Sequence, residues 1–243
     1  MANKLQLRIF KKWIFFITLC IFLLSGLFKL SLAQDTCLVI PIHAQYQDRP
    51  LILNDTNYTI KNTHQIKFEN LKFYLSNITL FSSGIPVWKE EDSFHLIDFD
   101  ETNSNVLCLS MADDIDFNAI QFSLGIDSLT NVSGALGGDL DPTKGMYWTW
   151  QNGYINFKLE GTSDLCNNPK NEFQYHLGGY LSPFKNLQTI KLSITNTAKF
   201  AISFDLEQFV TQLDLENLNH IMSPNTASVK LAQLAAQCFS IKQ

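Results

Sequence analysis

Most signatures that mark an enzyme are missing from these 243 residues. There is no G-x-S-x-G elbow, no H-E-x-x-H helix, no G-x-G-x-x-G turn and no phosphate-binding loop. The usual marks of serine hydrolases, zinc peptidases and nucleotide-dependent enzymes are therefore absent. Histidine is scarce. His43, His64, His95, His176 and His220 are the five, and no two form an H-x-H or H-x-x-x-H pair. A metal site built on imidazole must gather its ligands from separate strands. Carboxylates are plentiful, but nothing singles out one pair for glycoside hydrolysis. No Pro/Ser/Gly-rich linker, internal repeat or low-complexity tract divides the chain.

Long apolar runs are also lacking. The longest, Trp13 to Phe28, has 16 residues, short of the ~20 that a spanning helix needs. Lys4, Arg8, Lys11 and Lys12 precede it, and Ser31-Leu32-Ala33 follows with small residues where a signal peptidase reads. Residues 1–33 are expected to be a signal peptide, cleaved after Ala33 to leave Gln34 at the N-terminus. Periplasmic or secreted protein is the expected product. Removing the five basic residues of the leader from the total of 18 leaves 13 against 23 acidic ones, a formal charge of −10. Such a surface argues against nucleic acid and anionic membrane as partners.

Beyond the leader, Cys37, Cys108, Cys166 and Cys238 remain. An even number in an exported chain favours disulfides. Three pairings are possible, and spacing does not choose among them. No pair has the close C-x-x-C spacing of a zinc site.

What is abundant is alternation. Short strands are expected at Cys37–Tyr46, with Pro41 marking an edge or bend, and at Tyr58–Ile60, Leu71–Phe81, Phe94–Phe99 and Asn118–Leu124. Further alternating runs centre on Tyr175, Leu192 and Ile202. Turn clusters separate them, which indicates a mainly β fold: an antiparallel β-sandwich with one or two short C-terminal helices. Asp205 is placed to cap a helix over Leu206–Leu213, and Ser228 one over Val229–Cys238. Residues 34–243 read as one domain. Phe122, Leu124, Ile155, Phe157, Leu159, Leu192 and Phe204 sit on apolar faces of alternating runs and are the expected core.

The most distinctive stretch is Gly137 to Gly161, GGDLDPTKGMYWTWQNGYINFKLEG. Trp148 and Trp150, two apart on a strand, are expected to share a face with Met146. Asn152-Gly153 signals a tight turn into a second arm beginning at Tyr154. The acidic turn Asp139–Gly145 resembles a calcium loop only faintly. Its glycine is one place late, Trp150 stands where the closing glutamate belongs, and Lys144 sits inside it.

The run MYWTWQNGYINFKLEG resembles the signature of the MbnP-like family of exported copper-binding proteins, named from methanobactin gene clusters. LKFYLSNITL, FHLIDF, FSLGID and YHLGG resemble the same family in the same order, so the likeness spans nearly all of the exported chain. The resemblance implies copper(I) held by histidines and by a kynurenine made from tryptophan. A diheme cytochrome c peroxidase-like partner is implied as the oxidant. Carried onto this sequence, the metal ligands are His95, His176 and either Trp148 or Trp150, with Trp150 favoured because Gln151 completes the match. One departure stands out: where many members carry Asn-His after the strand at 122–126, this chain reads Leu129-Thr130-Asn131-Val132. The expected role is a binder or carrier, not an enzyme. Two rival readings are a recognition module stacking sugar or peptide on Trp148, Trp150 and Tyr154, and a structural envelope protein.

Overall fold

A computed structural model describes residues 36–243 apart from 55–56, 102, 112–114 and 151–152. The leader expected at 1–33, and its cleavage site, lie outside the described residues. Residues Cys37–Gln243 form one compact unit.

Two sheets make up this unit. The strands of the first half are β1 (Thr36–Tyr46), β2 (Arg49–Pro50), β3 (Asn57–Ile60), β4 (His64–Ser82), β5 (Ile85–Lys89), β6 (Phe94–Asp98), β7 (Val106–Met111) and β8 (Ala119–Leu124). Those of the second half are β9 (Tyr147–Trp148), β10 (Gly153–Ser163), β11 (Glu172–Gly178), β12 (Gln188–Ser193), β13 (Ala201–Asp205), β14 (His220–Ile221) and β15 (Phe239–Lys242). The smaller sheet has the order β15-β13-β1-β2, with β7 also on β1. The larger has ten strands with β4 as its spine. One edge of β4 carries β10 and then β8, and the other carries β3, β6 and β5 in turn.

Phenylalanine joins the sheets. Phe204 and Phe239 of the small sheet meet Phe73 of β4 at ring separations of 5.8 and 5.4 Å, and Phe204 meets Phe157 of β10 at 5.6 Å. These rings are buried, and tilted contacts at such distances are the arrangement aromatic quadrupoles favour. Six of the seven expected core residues are in this interior or against it, Leu192 only partly buried, while Ile155 is buried in a second, smaller core. The mainly β, sandwich-like fold with short C-terminal helices is thus present.

Several details differ from the expectation. The sheets are not purely antiparallel: β1 pairs with β13 in parallel, Ile42 opposite Ile202, and β11 pairs with β14 in parallel. Both pairing types have the same period of two, so alternation does not distinguish them. The long strand starts at His64, not Leu71. A helix, α1 (Ser128–Val132), lies outside the C-terminal third, capped by Asp127 Oδ1 accepting from the Thr130 N–H at 2.9 Å. The first C-terminal helix, α2 (Leu206–Val210), is capped by Asp205 as expected. The second, α3 (Thr226–Gln237), is capped by Asn225 rather than Ser228. Ser228 is its third residue, and the two side chains satisfy each other's backbone N–H.

Cys37 and Cys108 form a disulfide, while Cys166 and Cys238 are free and buried. Burial pushes the two free thiols up to about 11 and about 12, so neither is a ready thiolate nucleophile at neutral pH. The bridge closes a loop of sequence separation 71. Chain-entropy arithmetic for such a loop gives roughly 4 kcal/mol. Replacing both bridged cysteines by serine is expected to lower the unfolding free energy by about that amount, read from urea denaturation.

Candidate metal centre

The tryptophan stretch forms a hairpin, with Trp148 opposite Gly153 and Tyr147 opposite Tyr154. The turn is therefore wider than expected, since Gly153 already belongs to β10. Gln151 and Asn152 lie outside the described residues. The two indoles touch, ring centroids 5.6 Å apart at 40°, but their surroundings differ sharply. Trp148 is 5% exposed and Trp150 64%. Trp148 joins Met146, Tyr74, Leu96, Ile126, Leu140, Tyr154 and Ile155 in a second small core. Leu96 pairs with Tyr74, two residues along β4 from Lys72. This core therefore covers the face of the large sheet opposite the main interior.

β10 carries the irregularity that makes this possible. Its register on β11 shifts between Ile155 and Phe157, and Asn156 turns inward to accept from the Ile126 N–H at 3.0 Å. A bulge of this kind re-aims the side chains on either side of it. Phe157 and Leu159 consequently face the main core, while Tyr154 and Ile155 belong to the second. Tyr154 is fully buried, its hydroxyl accepting from the Leu136 N–H at 3.0 Å and lying 3.2 Å from Gly134 O. The three-ring stacking platform is therefore not there: of Trp148, Trp150 and Tyr154 only Trp150 is open to solvent.

Trp148 lies on Gly178 of β11. A Cβ at Gly178 would sit 2.7 Å from the indole Cζ3 and 2.6 Å from Tyr154 O. The glycine is needed because an indole and a backbone carbonyl occupy the space. Gly178→Ala is expected to displace Trp148 and destabilise the protein by about 1–3 kcal/mol, the usual cost of overpacking. The change is read as a red-shifted Trp emission together with an earlier denaturation midpoint.

His176 is two residues from Gly178 on the same strand and so shares its face. Register carries that face across four strands: His176 opposite Lys158, Lys158 opposite Lys72, Lys72 opposite Asp98. His176 is 5% exposed. Its Nε2 lies 2.7 Å from Glu160 Oε1. Burial pushes the Glu160 carboxyl up. The hydrogen bonds from His176 and Asn70 and the nearby Lys158 ammonium outweigh that and hold it below the usual carboxylate range. His176 Nδ1 and Trp148 Nε1, on this face, are buried with no hydrogen-bond partner, as is Asn156 Nδ2 at the bulge. An unpaired buried polar atom is costly and usually has a reason.

His95 is placed differently. It pairs with Leu75, whose side chain belongs to the main core. It therefore falls on the face opposite His176, on a strand that pairs with β4 alone. Its Nε2 lies 2.8 Å from Glu90 Oε2, and Ser93 Oγ donates to the same oxygen at 2.5 Å. The structure brings His176 and Trp148 to one face, with Trp150 in tilted contact outside, and does not bring His95 to them. Of the other histidines, His64 pairs with Asp164 at 3.2 Å, and His43 and His220 are exposed. Among the described residues no three His, Cys, Asp or Glu side chains converge in a way that could hold a metal ion.

The acidic turn is occupied by its own contacts. Asp139 takes Lys144 Nζ at 2.7 Å and the Leu96 N–H at 3.1 Å, and Asp141 accepts from the Thr143 N–H at 2.8 Å. Asn131, in the segment that departs from the family pattern, is buried. It donates to Ile126 O and accepts from the Tyr154 N–H, while Val132 beside it is exposed. Glu160, Lys158 and Asn70 were not singled out by sequence. The only signal for them was their position on the polar face of β10 and β4.

The fold and this face define a two-sheet β protein with one histidine and one indole each buried on the outer side of the larger sheet. The chain belongs to the MbnP family, whose profile matches residues 35–223. Among solved structures, MbnP from Methylosinus trichosporium is similar in fold, with a TM-score of 0.61 and 12% identity over 84% of this chain and 97% of that one. No curated protein matches the sequence.

Proposed function

We propose that this protein is an exported copper(I)-binding carrier whose site is built around His176 and Trp148. The observation that carries the reading is the pair of buried, unpartnered nitrogens, His176 Nδ1 and Trp148 Nε1, on one sheet face. Imidazole suits copper, whereas the carboxylates nearby are already paired. These residues fit the group only in part. Indole N–H donates and offers no lone pair, so the tryptophan must be changed before it can ligate.

The change that meets this requirement is ring opening to kynurenine. Two equivalents of peroxide add two oxygen atoms across the indole C2–C3 bond and leave as two waters, giving N-formylkynurenine. Hydrolysis then releases formate and leaves an aromatic amine. A diheme cytochrome c peroxidase-like partner is the class of oxidant proposed. Trp150, exposed and in tilted contact with Trp148, is the indole such a partner meets first, and Trp148 is the one on the histidine's sheet face. His95 is not assigned to this site, because register sets it on the other face. No catalytic role is proposed for the chain itself. Export through the leader at 1–33 places it in the periplasm or outside the cell.

The test is to express the chain alone and together with such a peroxidase, then compare tryptic peptide masses and copper stoichiometry. A ring-opened Trp148 peptide with a matching gain in bound copper supports the reading. Unaltered tryptophan peptides and unaltered copper content would reject it.

A further inference from the structure

We infer that Glu160 is the positioning residue of this face: it fixes His176 as the Nε2–H tautomer, which leaves Nδ1 as the ring atom with a free lone pair. The inference deepens the copper reading and rests on it for the identity of the metal, though not for the tautomer.

A neutral imidazole has one N–H and one lone pair, and an ionised carboxylate only accepts. With Glu160 Oε1 at 2.7 Å from Nε2, the proton has to be on Nε2. Nδ1 is then the unprotonated atom, and it is buried without a partner. A carboxylate on the distal nitrogen is the support that metal-binding histidines commonly have. It fixes the tautomer, orients the ring and raises its basicity. Lys158 adds a second tie. Its Nζ lies 3.8 Å from Glu160 Oε1 and donates to Gly145 O at 3.3 Å. Gly145 opens the segment that runs through Met146 and Tyr147 to Trp148. One ammonium thus joins the carboxylate that holds the histidine to the loop that holds the indole. Because Lys158 and Glu160 are two apart on β10, both contacts are made from the same sheet face.

The test reads the ring nitrogens of metal-free protein by two-bond 1H–15N correlation spectroscopy, in the native chain and in Glu160→Gln and Glu160→Ala. In the native chain His176 is expected as the Nε2–H tautomer with Nδ1 unprotonated. Both variants are expected to shift the ring towards a mixture of tautomers and to weaken copper(I) binding by roughly 10–100-fold, the range seen for loss of a supporting residue. A native His176 carrying its proton on Nδ1 would overturn the inference, and this readout needs no variant to fold. So would variants that keep both the native tautomer and the native affinity. If the tautomer is as expected and changes with Glu160, but protein whose tryptophan has been opened to kynurenine takes up no copper, the positioning role stands and the copper reading fails.

Discussion

Phe157→Ala is expected to lower the unfolding free energy by ~3–5 kcal/mol, the cost of truncating a buried aromatic. The ring is fully buried and stacks parallel to Phe73 at 6.2 Å. It also meets Phe209 of α2 at 5.2 Å and Phe204 of the small sheet at 5.6 Å. No other ring of β10 touches both sheets and a helix, so the void cannot be filled by moving one neighbour. Denaturant melts of the native and variant chains give the number directly. A loss below about 1 kcal/mol, the range of surface substitutions, would mean that the sheets do not meet where the structure puts them.

His176→Ala is expected to have the largest effect on binding. Losing a ligand should exceed the about 10–100-fold penalty of losing a supporting residue, so a fall of more than about 100-fold in the copper(I) affinity of the kynurenine-bearing protein is anticipated. His95→Ala is the control. It removes an imidazole with the same glutamate anchorage but on the opposite face, and affinity should remain near that of the native chain. Competition with a chromogenic copper(I) chelator measures both. Equal losses for the two variants would mean that both rings bind, and the face assignment would be wrong.

How much of this was readable without coordinates depends on which physical signal carried it. The core at Phe122, Leu124, Phe157 and Phe204 was legible because larger apolar residues recur at every second position around each of them in the sequence, and a period of two survives in any β arrangement. The Asp205 cap was legible because capping is local. The parallel partnership of β1 with β13 was not, since Ile42 and Ile202 are 160 residues apart and parallel and antiparallel strands share one pattern. The bulge at Asn156 was hidden for the opposite reason. It breaks alternation, and a run such as Gly153–Phe157, buried throughout, reads like any apolar strand. The site suffered most. The contexts of His95 and His176 are each suggestive. Whether two rings on β6 and β11 share a face depends on three successive registers across β4 and β10, and a slip of one residue in any of them reverses the answer. Glu160 is not legible in sequence because a glutamate on the polar side of a strand looks like solvent-facing charge until its neighbour is known.

The same parity argument separates the indoles. Trp148 and Trp150 are two apart, a spacing that predicts a shared face. The strand ends at Trp148, so only the first is held by the sheet, and the second stands in the turn. Trp150 was favoured on sequence, whereas burial and contact with Gly178 favour Trp148.

The most direct test of the central claim is an anomalous difference map collected at the copper edge, from crystals of protein treated with a diheme peroxidase of the proposed class and loaded with copper(I) under reducing conditions. A single strong peak about 2 Å from His176 Nδ1, the usual metal–imidazole distance, with the opened ring of Trp148 as a second donor, is the predicted result. A peak on His95, or none within bonding reach of His176, would contradict the account.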